Sequence, residues 1–262
     1  MEVDSLYIYP IKSMEGIAVK AAELTAKGFK YDRAWMLTDA TGRFISQREY
    51  PGLALMQIKL NDQDLSVRNG HEEISFNLKT VTGPKLSTSV WKDHFESQEV
   101  SSEVSSWFSD MLKSKVKLVT YSESNGRSKH VSSLGRNIEV SYADGYPYLI
   151  LGTASMDELN ARTFIHMSIK RFRPNIVITT QDAHIEDEWK EIQIGDHLIQ
   201  LVKPCARCDL TTIDPETAEI GQEPLITLST YRRINRQILF GMNGISHGPG
   251  TLNVGDRVEI IS

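Results

Sequence analysis

The sequence predicts a mainly β protein with a few packed helices (α+β), and three observations carry that reading. Short runs of alternating apolar and polar residues, rich in Val, Ile, Tyr and Thr, recur along the chain. Turn residues separate them at the short intervals of small β-barrels or sandwiches. Helical periodicity is confined to a few segments, with 100–112 the clearest.

The opening "VDSLYIYPIKS" predicts a strand that Pro10 ends, with Lys12 and Ser13 in the loop beyond. "GIAVKAAELTAKGF" fits strand or helix. "DRAWMLTDATGRFISQ" predicts a hairpin turning over Asp39–Gly42. "LALMQIKL", "DLSVRN", "ISFNL" and "LSTSVW" follow as short strands. From Val100 to Leu112, residues Val104, Phe108 and Leu112 recur at i, i+4 and i+8 beside Trp107 and Met111, one apolar stripe for packing on a sheet. "YSESNGRSKHVSSLGRN" is long and apolar-poor for a loop, and a domain boundary is expected near it. "SYADGYPYLILGTASMDELNAR" reads as a buried strand entering a helix, with Ser155 and Glu158 as a capping box. "IQIGDHLIQL" (192–201) and "LNVGDRVEII" (252–261) repeat one another, and each predicts a hairpin with a Gly-Asp turn. A helix is expected around "PLITLSTYRRI".

The length of 262 residues suits one large domain or two smaller ones. With 40% hydrophobic and 24% charged residues the chain can build an ordinary core, and wholesale disorder is excluded. A net charge of −5 argues against broad nucleic-acid binding, which needs Lys and Arg to neutralise phosphates, but leaves room for a local basic pocket. No apolar run approaches the roughly 20 residues of a membrane span, and the N-terminus lacks the pattern of a signal peptide. Cys205 and Cys208 are the only cysteines, so a disulfide framework is not expected and a cytoplasmic location is.

Two thiols three positions apart admit four readings. A structural zinc site would need four Cys or His ligands, and His184 and His197 lack the paired spacing. A redox pair would open a helix, whereas "DLTTIDPETAE" after Cys208 reads as strand and turn. Both thiols could be inert and buried. Or one thiolate could bind a soft or redox-active metal whose other ligands come from a cofactor, with Arg207 and Lys203 keeping it ionised.

"KPCARCDLTTIDPETAEIGQEPLITLSTYRR" resembles the hallmark segment of the MOSC-domain proteins, the molybdenum-cofactor sulfurase C-terminal family. The matching pattern is Cys-x-Arg-Cys-x-x-Thr-Thr-x-Asp-Pro, then Glu-Pro-Leu, then Leu-x-x-Tyr-Arg. "LYIYPIKSMEG", "GFKYDRAWMLTDATGRFISQRE" and "PGLALMQ" resemble the β-barrel domain that precedes MOSC domains. "LNARTFIHMSIKRFRPNIVI" and "GTLNVGDRV" carry the likeness nearly end to end, weakest between about residues 60 and 135. By pattern the chain is similar to the amidoxime-reducing components and their bacterial homologues.

The resemblance implies an N-terminal β-barrel domain over 1–120 and a MOSC β-barrel domain over 121–262, with a molybdenum cofactor (Mo-molybdopterin) between them. It implies that Cys205 is the catalytic metal ligand and that Cys208 is not a ligand. Cofactor contacts are expected from Lys12, Ser13, Arg33, Arg173 and Asn175, with Arg48 a weaker candidate for lining the pocket. Taken alone, Lys12 and Arg33 could be surface charges, and Arg173 could pair with Glu186 or Asp187. The implied activity is two-electron reduction of small N-hydroxylated compounds (hydroxylamines, amidoximes, N-hydroxylated bases). The alternative is a non-catalytic carrier of the cofactor or its sulfur, with persulfide on Cys205. Electrons are expected from a separate flavin, iron–sulfur or haem reductase. The glycines of "GMNGISHGPG" lack dinucleotide-binding spacing, and one remaining cysteine cannot hold a cluster. Neither a membrane anchor, nor an appended iron–sulfur domain, nor pyridoxal phosphate is expected. Ala218 stands where the family usually has glycine.

Overall fold

"YLILG" (Tyr148–Gly152) is apolar at every position but its last because both faces of this strand are buried, the condition of a parallel pair. In the computed structural model, which describes residues 1–121 and 127–262, this strand lies at the middle of the largest sheet. The order across that sheet is Ile17–Val19, Val3–Ile8, Ile176–Ile178, Tyr148–Gly152, Gln237–Ser246, His197–Ala206, Glu191–Ile194 and Val258–Ile260. The pair Tyr148–Gly152 and Ile176–Ile178 is parallel, and the intervening helix Thr153–Arg162 makes the crossover that such a pair requires. Its other strand pairs are antiparallel. Glu2 bridges to Arg257, Val3 N–H donates to Asp256 O, and Val258 N–H donates to Met1 O at 2.9 Å each. These contacts join the last strand to the first, so the sheet closes into a barrel filled by Leu6, Tyr148, Ile150, Ile176, Ile192, Ile199 and their neighbours.

A second antiparallel sheet runs Trp35–Thr38, Lys117–Tyr121, Asp93–Glu99, Lys85–Val90. With the meander Gln57–Leu60, Asp64–Asn69, Glu72–Asn77 and the helix Ser102–Leu112 it encloses a core that includes Trp35, Phe76, Phe108 and Leu118. The helix starts at Ser101, whose hydroxyl accepts from Val104 N–H, and ends at Lys113 in the left-handed region. Val104 and Phe108 are buried as the apolar stripe predicts. The ambiguous "GIAVKAAELTAKGF" forms the strands Ile17–Val19, Ala21–Thr25 and Gly28–Phe29. The turn at Asp39–Gly42 is present, with Asp39 Oδ1 accepting from Thr41 and Arg43 N–H. The helix near residue 225 spans Leu225–Tyr231 and sets Leu228 against Phe172 and Phe240.

Several local expectations fail; "DLTTIDPETAE" opens with a 3₁₀ turn at Asp209–Thr212, not a strand, and the start of "LALMQIKL" lies in the 3₁₀ turn Pro51–Leu55. The polar stretch after Tyr121 is a hairpin over its described part, Arg127–Val131 paired with Arg136–Val140, while residues 122–126 lie outside the described residues. Segment 252–261 is not a hairpin, because Gly250–Asn253 pairs with Ala21–Thr25 and Val258–Ile260 pairs with Glu191–Ile194. Ser155 and Glu158 do not form a capping box. Ser155 Oγ donates to the buried Glu186 carboxylate and Glu158 meets Arg162, while Gly152 is the N-cap.

Phe108 is fully buried between the helix and the second sheet. Phe108→Ala should therefore lower the unfolding free energy by about 3–5 kcal/mol in urea titrations.

Candidate functional site

Lys12, Ser13, Arg33, Arg173, Asn175 and Cys205, all the expected site residues, line one cleft of about 160 Å³. Three chain reversals bring them there. After the first strand the chain turns at Ser13 (φ 69°), Arg33 sits at φ 48°, and Arg173 ends a short 3₁₀ turn at φ 55°. Left-handed backbone at three non-glycine residues around one cleft is the kind of local strain that gathers at functional sites.

Tyr9, buried at the end of the first strand, organises the cations. The guanidinium carbons of Arg33 and Arg173 lie 4.3 and 4.2 Å from its ring centroid. Its hydroxyl donates to Pro174 O at 3.0 Å. A Cβ on Gly16 would fall 2.3 Å from the same ring, which is why glycine occupies that position. Arg33 Nη1 donates to buried Asp32 at 2.5 Å and to Asn175 Oδ1 at 3.1 Å. Arg173 Nη1 donates to Met14 O at 2.6 Å, but its Nη2 is shielded from solvent with no partner. Burial, followed by the repulsion of Arg33, lowers the pKa of Arg173 to about 10. The alternative in which Arg173 pairs with Glu186 or Asp187 does not occur, since Glu186 accepts from Ser155 and Gly152 N–H, and Arg232 takes Asp187.

Asn175 is almost fully buried, and both ends of its amide are engaged. Oδ1 accepts from Leu149 N–H (3.2 Å) as well as Arg33, and Nδ2 donates to Tyr7 O (3.2 Å). It therefore fixes Arg33 against two barrel strands. Lys12, also buried, donates to Tyr142 O (2.9 Å) and Asp144 (2.6 Å). Burial lowers its pKa, Asp144 opposes this, and Arg127 and Arg33 push it further down.

Cys205 owes its placement to a break in strand pairing. Pro204 pairs with Met242 and Ala206 with Leu239, so Phe240 and Gly241 both stand opposite Cys205. Gly241 takes φ 75°, as such a bulge requires. The half-buried Cys205 thiol faces Arg207, with Nη1 3.1 Å from Sγ; Arg207 is itself held by Phe172 O at 2.8 Å. Lys203 turns away to Tyr146 instead. Cys208 is exposed, and Arg48 approaches its sulfur at 3.2 Å while stacking on Trp91 at 5.0 Å. Arg48 thus stands at the rim beside Cys208. Exposure excludes two inert buried thiols, and no cluster of three or more His, Cys, Asp or Glu suited to a metal occurs among the described residues.

Sequence reasoning missed Tyr9, Asp144, Trp91 and Tyr146. Tyr9 reads as one more strand residue, and the others owe their positions to contacts across the fold. Chemically, the cleft joins an accessible thiol to a cationic wall of Lys12, Arg33 and Arg173, neutralised only in part by Asp32 and Asp144. A phosphate-bearing, hydrogen-bond-rich ligand with a thiolate-seeking metal fits this donor set, and an anion would satisfy Arg173 Nη2.

Replacing Asn175 with Leu leaves Leu149 N–H and Tyr7 O without their side-chain partner. The variant should lose roughly 2–4 kcal/mol of stability by chemical denaturation.

Residues 1–115 match the MOSC N-terminal beta barrel domain, and residues 137–259 match the MOSC domain. The mitochondrial amidoxime-reducing component 1 of Mus musculus is 32% identical over 99% of this chain and 82% of its own. The mitochondrial amidoxime reducing component 2 of Bos taurus is 34% identical over 98% and 82%. A molybdenum cofactor sulfurase of Oryza sativa subsp. japonica is 27% identical over 92% of this chain and 32% of its own. The cleft is built wholly from residues inside the two matched regions, and the chain belongs to the MOSC-domain family that carries the N-terminal MOSC β-barrel.

Proposed function

We propose that this protein is a molybdenum-cofactor-dependent oxidoreductase that reduces N-hydroxylated compounds with electrons from a separate reductase. The observation that carries the reading is an accessible thiol, Cys205, beside a partly uncompensated cationic wall with an unpartnered buried Arg173 N–H. The amidoxime-reducing relatives support the reaction class.

Cys205 would supply the protein's thiolate to molybdenum, with Arg207 orienting the sulfur. Lys12, Ser13, Arg33 and Arg173 would bind the anionic and hydrogen-bonding parts of the cofactor, and Asn175 would hold Arg33 in place. When bound, the cofactor supplies a metal centre that exchanges two electrons. The overall reaction then balances as R–NHOH plus two electrons and two protons giving R–NH2 and water. Preset cations favour this because they need no reorganisation to hold an anionic cofactor. Cytoplasmic operation is part of the same proposal, and no helix among the described residues is long and apolar enough to cross a membrane.

Metal and pterin analysis of protein made in a cofactor-competent host tests the assignment. Cys205→Ala should abolish molybdenum-dependent activity, whereas Cys208→Ala should keep most of it. Arg33→Ala and Arg173→Ala should lower molybdenum content more than stability, each removing a charge-assisted contact of about 1.5–3 kcal/mol. Equal activity in wild type and Cys205→Ala would sink the assignment. Persulfide on Cys205 with loosely held cofactor would favour a sulfur or cofactor carrier, a reading motivated by the sulfurase relative.

Of the glycines of "GMNGISHGPG", Gly241 and Gly244 lie within the barrel strand Gln237–Ser246 and Gly250 opens the strand Gly250–Asn253, an arrangement unlike a phosphate-binding turn that opens a helix. With the molybdenum-loaded chain and a hydroxylamine, a chemical reductant should sustain turnover and NADH alone should not. Steady NADH oxidation by the isolated chain would contradict the need for a separate reductase.

A further inference from the structure

The hairpin Arg127–Val131/Arg136–Val140 and the barrel strand His197–Ala206 each set one lysine against Tyr146, a residue of the cleft wall. Val131, Ile138 and Val140 pack on Ile245, with Tyr146 and Val202 alongside. Tyr146 also lines the cleft. Lys129 Nζ lies 5.0 Å and Lys203 Nζ 5.4 Å from the centroid of the Tyr146 ring. Lys203 precedes Cys205 by two residues on the same strand. Neither lysine has an ion-pair partner among the described residues. The nearby carboxylates are engaged: Asp144 by Lys12 and the Trp91 indole, Asp93 by Arg127. Burial, then Lys203, then Arg127 lower the pKa of Lys129, while Asp93 and Asp144 oppose the shift.

We infer that Lys129 and Lys203, braced on Tyr146, form a subsite for a phosphate monoester carried by the substrate, so that N-hydroxylated nucleotides are preferred to the corresponding nucleosides. Two ammonium groups placed against one tyrosine ring match the charge of a phosphate monoester, which approaches −2 at neutral pH, better than that of a carboxylate. The deeper cations at Tyr9 form a separate group on the other chain segments that line the cleft, which leaves this pair free for a different anion. The inference rests on the proposed reduction and adds the substrate class.

An N-hydroxylated nucleoside and its 5′-monophosphate, assayed with a chemical reductant, give the first test. The monophosphate should show a KM at least tenfold lower at similar kcat. The Lys129→Gln/Lys203→Gln double variant should erase that difference while leaving nucleoside kinetics and molybdenum content unchanged. A second test needs no turnover. Equilibrium titration with the reduced products should show the nucleoside monophosphate binding at least tenfold tighter than the nucleoside, with the gap closed in the double variant. Equal KM and equal binding for the two members of each pair would overturn the subsite. So would loss of molybdenum in the double variant, which would assign the lysines to the cofactor instead. Inorganic phosphate should compete with the monophosphate in wild type and not in the double variant; identical competition in both would place the phosphate elsewhere and overturn the proposal. Preserved binding preference without turnover of either substrate would support the subsite and sink the reduction.

Discussion

Two guanidinium groups held against one buried tyrosine ring constrain everything around them. Arg33 and Arg173 repel each other, yet both lie within about 4.3 Å of the Tyr9 ring centroid. Asp32 offsets one charge, Met14 O accepts from the other, and Asn175 locks Arg33 to the barrel. This arrangement needs the left-handed backbone at Arg33 and Arg173 and the absence of a side chain at Gly16. It is rigid because neighbouring strands, not the loops alone, hold it. The outcome is a positive wall prepared before any ligand arrives.

The thiol is positioned by a different device. Cys205 sits opposite two residues of the neighbouring strand, so its side chain escapes the regular alternation of the sheet. Arg207, anchored on Phe172 O, then meets the sulfur from the next turn of chain. Phe172 directly precedes Arg173, so the cation facing the thiol is anchored on the short 3₁₀ segment whose end carries the cation stacked on Tyr9. Movement at either point would be felt at the other.

The strands with clean alternation, the helix Ser102–Leu112 and its buried Val104 and Phe108 were legible because their local pattern agrees with their tertiary setting. Lys12, Ser13, Arg33, Arg173, Asn175 and Cys205 were legible through family resemblance and converge in space. Two of the failures share one cause. The Gly-Asp segment at 252–261 looks like a hairpin, but barrel closure gives each of its strands a better partner elsewhere. Ser155 has the spacing of a cap residue, but the buried Glu186 carboxylate claims its hydroxyl. The hairpin over 127–140 is polar because much of it faces solvent, which hides the alternation that would have announced strands. Such competition between local and distant partners cannot be read from a short window.

The bonds joining Met1 and Val3 to Val258 and Asp256 make the barrel a ring whose seam lies between the earliest and the latest strands synthesised. The first strand pairs locally with Ile17–Val19 over Leu6–Ile8, but it must wait for Ile176–Ile178 along one edge and for the last strand to seal the start of the other. Contacts this distant in sequence carry a large loop-closure entropy and form late. Lys12 and Arg33, made early on the ribosome, therefore gain Arg173, Asn175 and Cys205 as neighbours only when most of the chain has emerged. The cleft joins residues from Lys12 to Asn243, so its assembly draws on nearly the whole length of the chain.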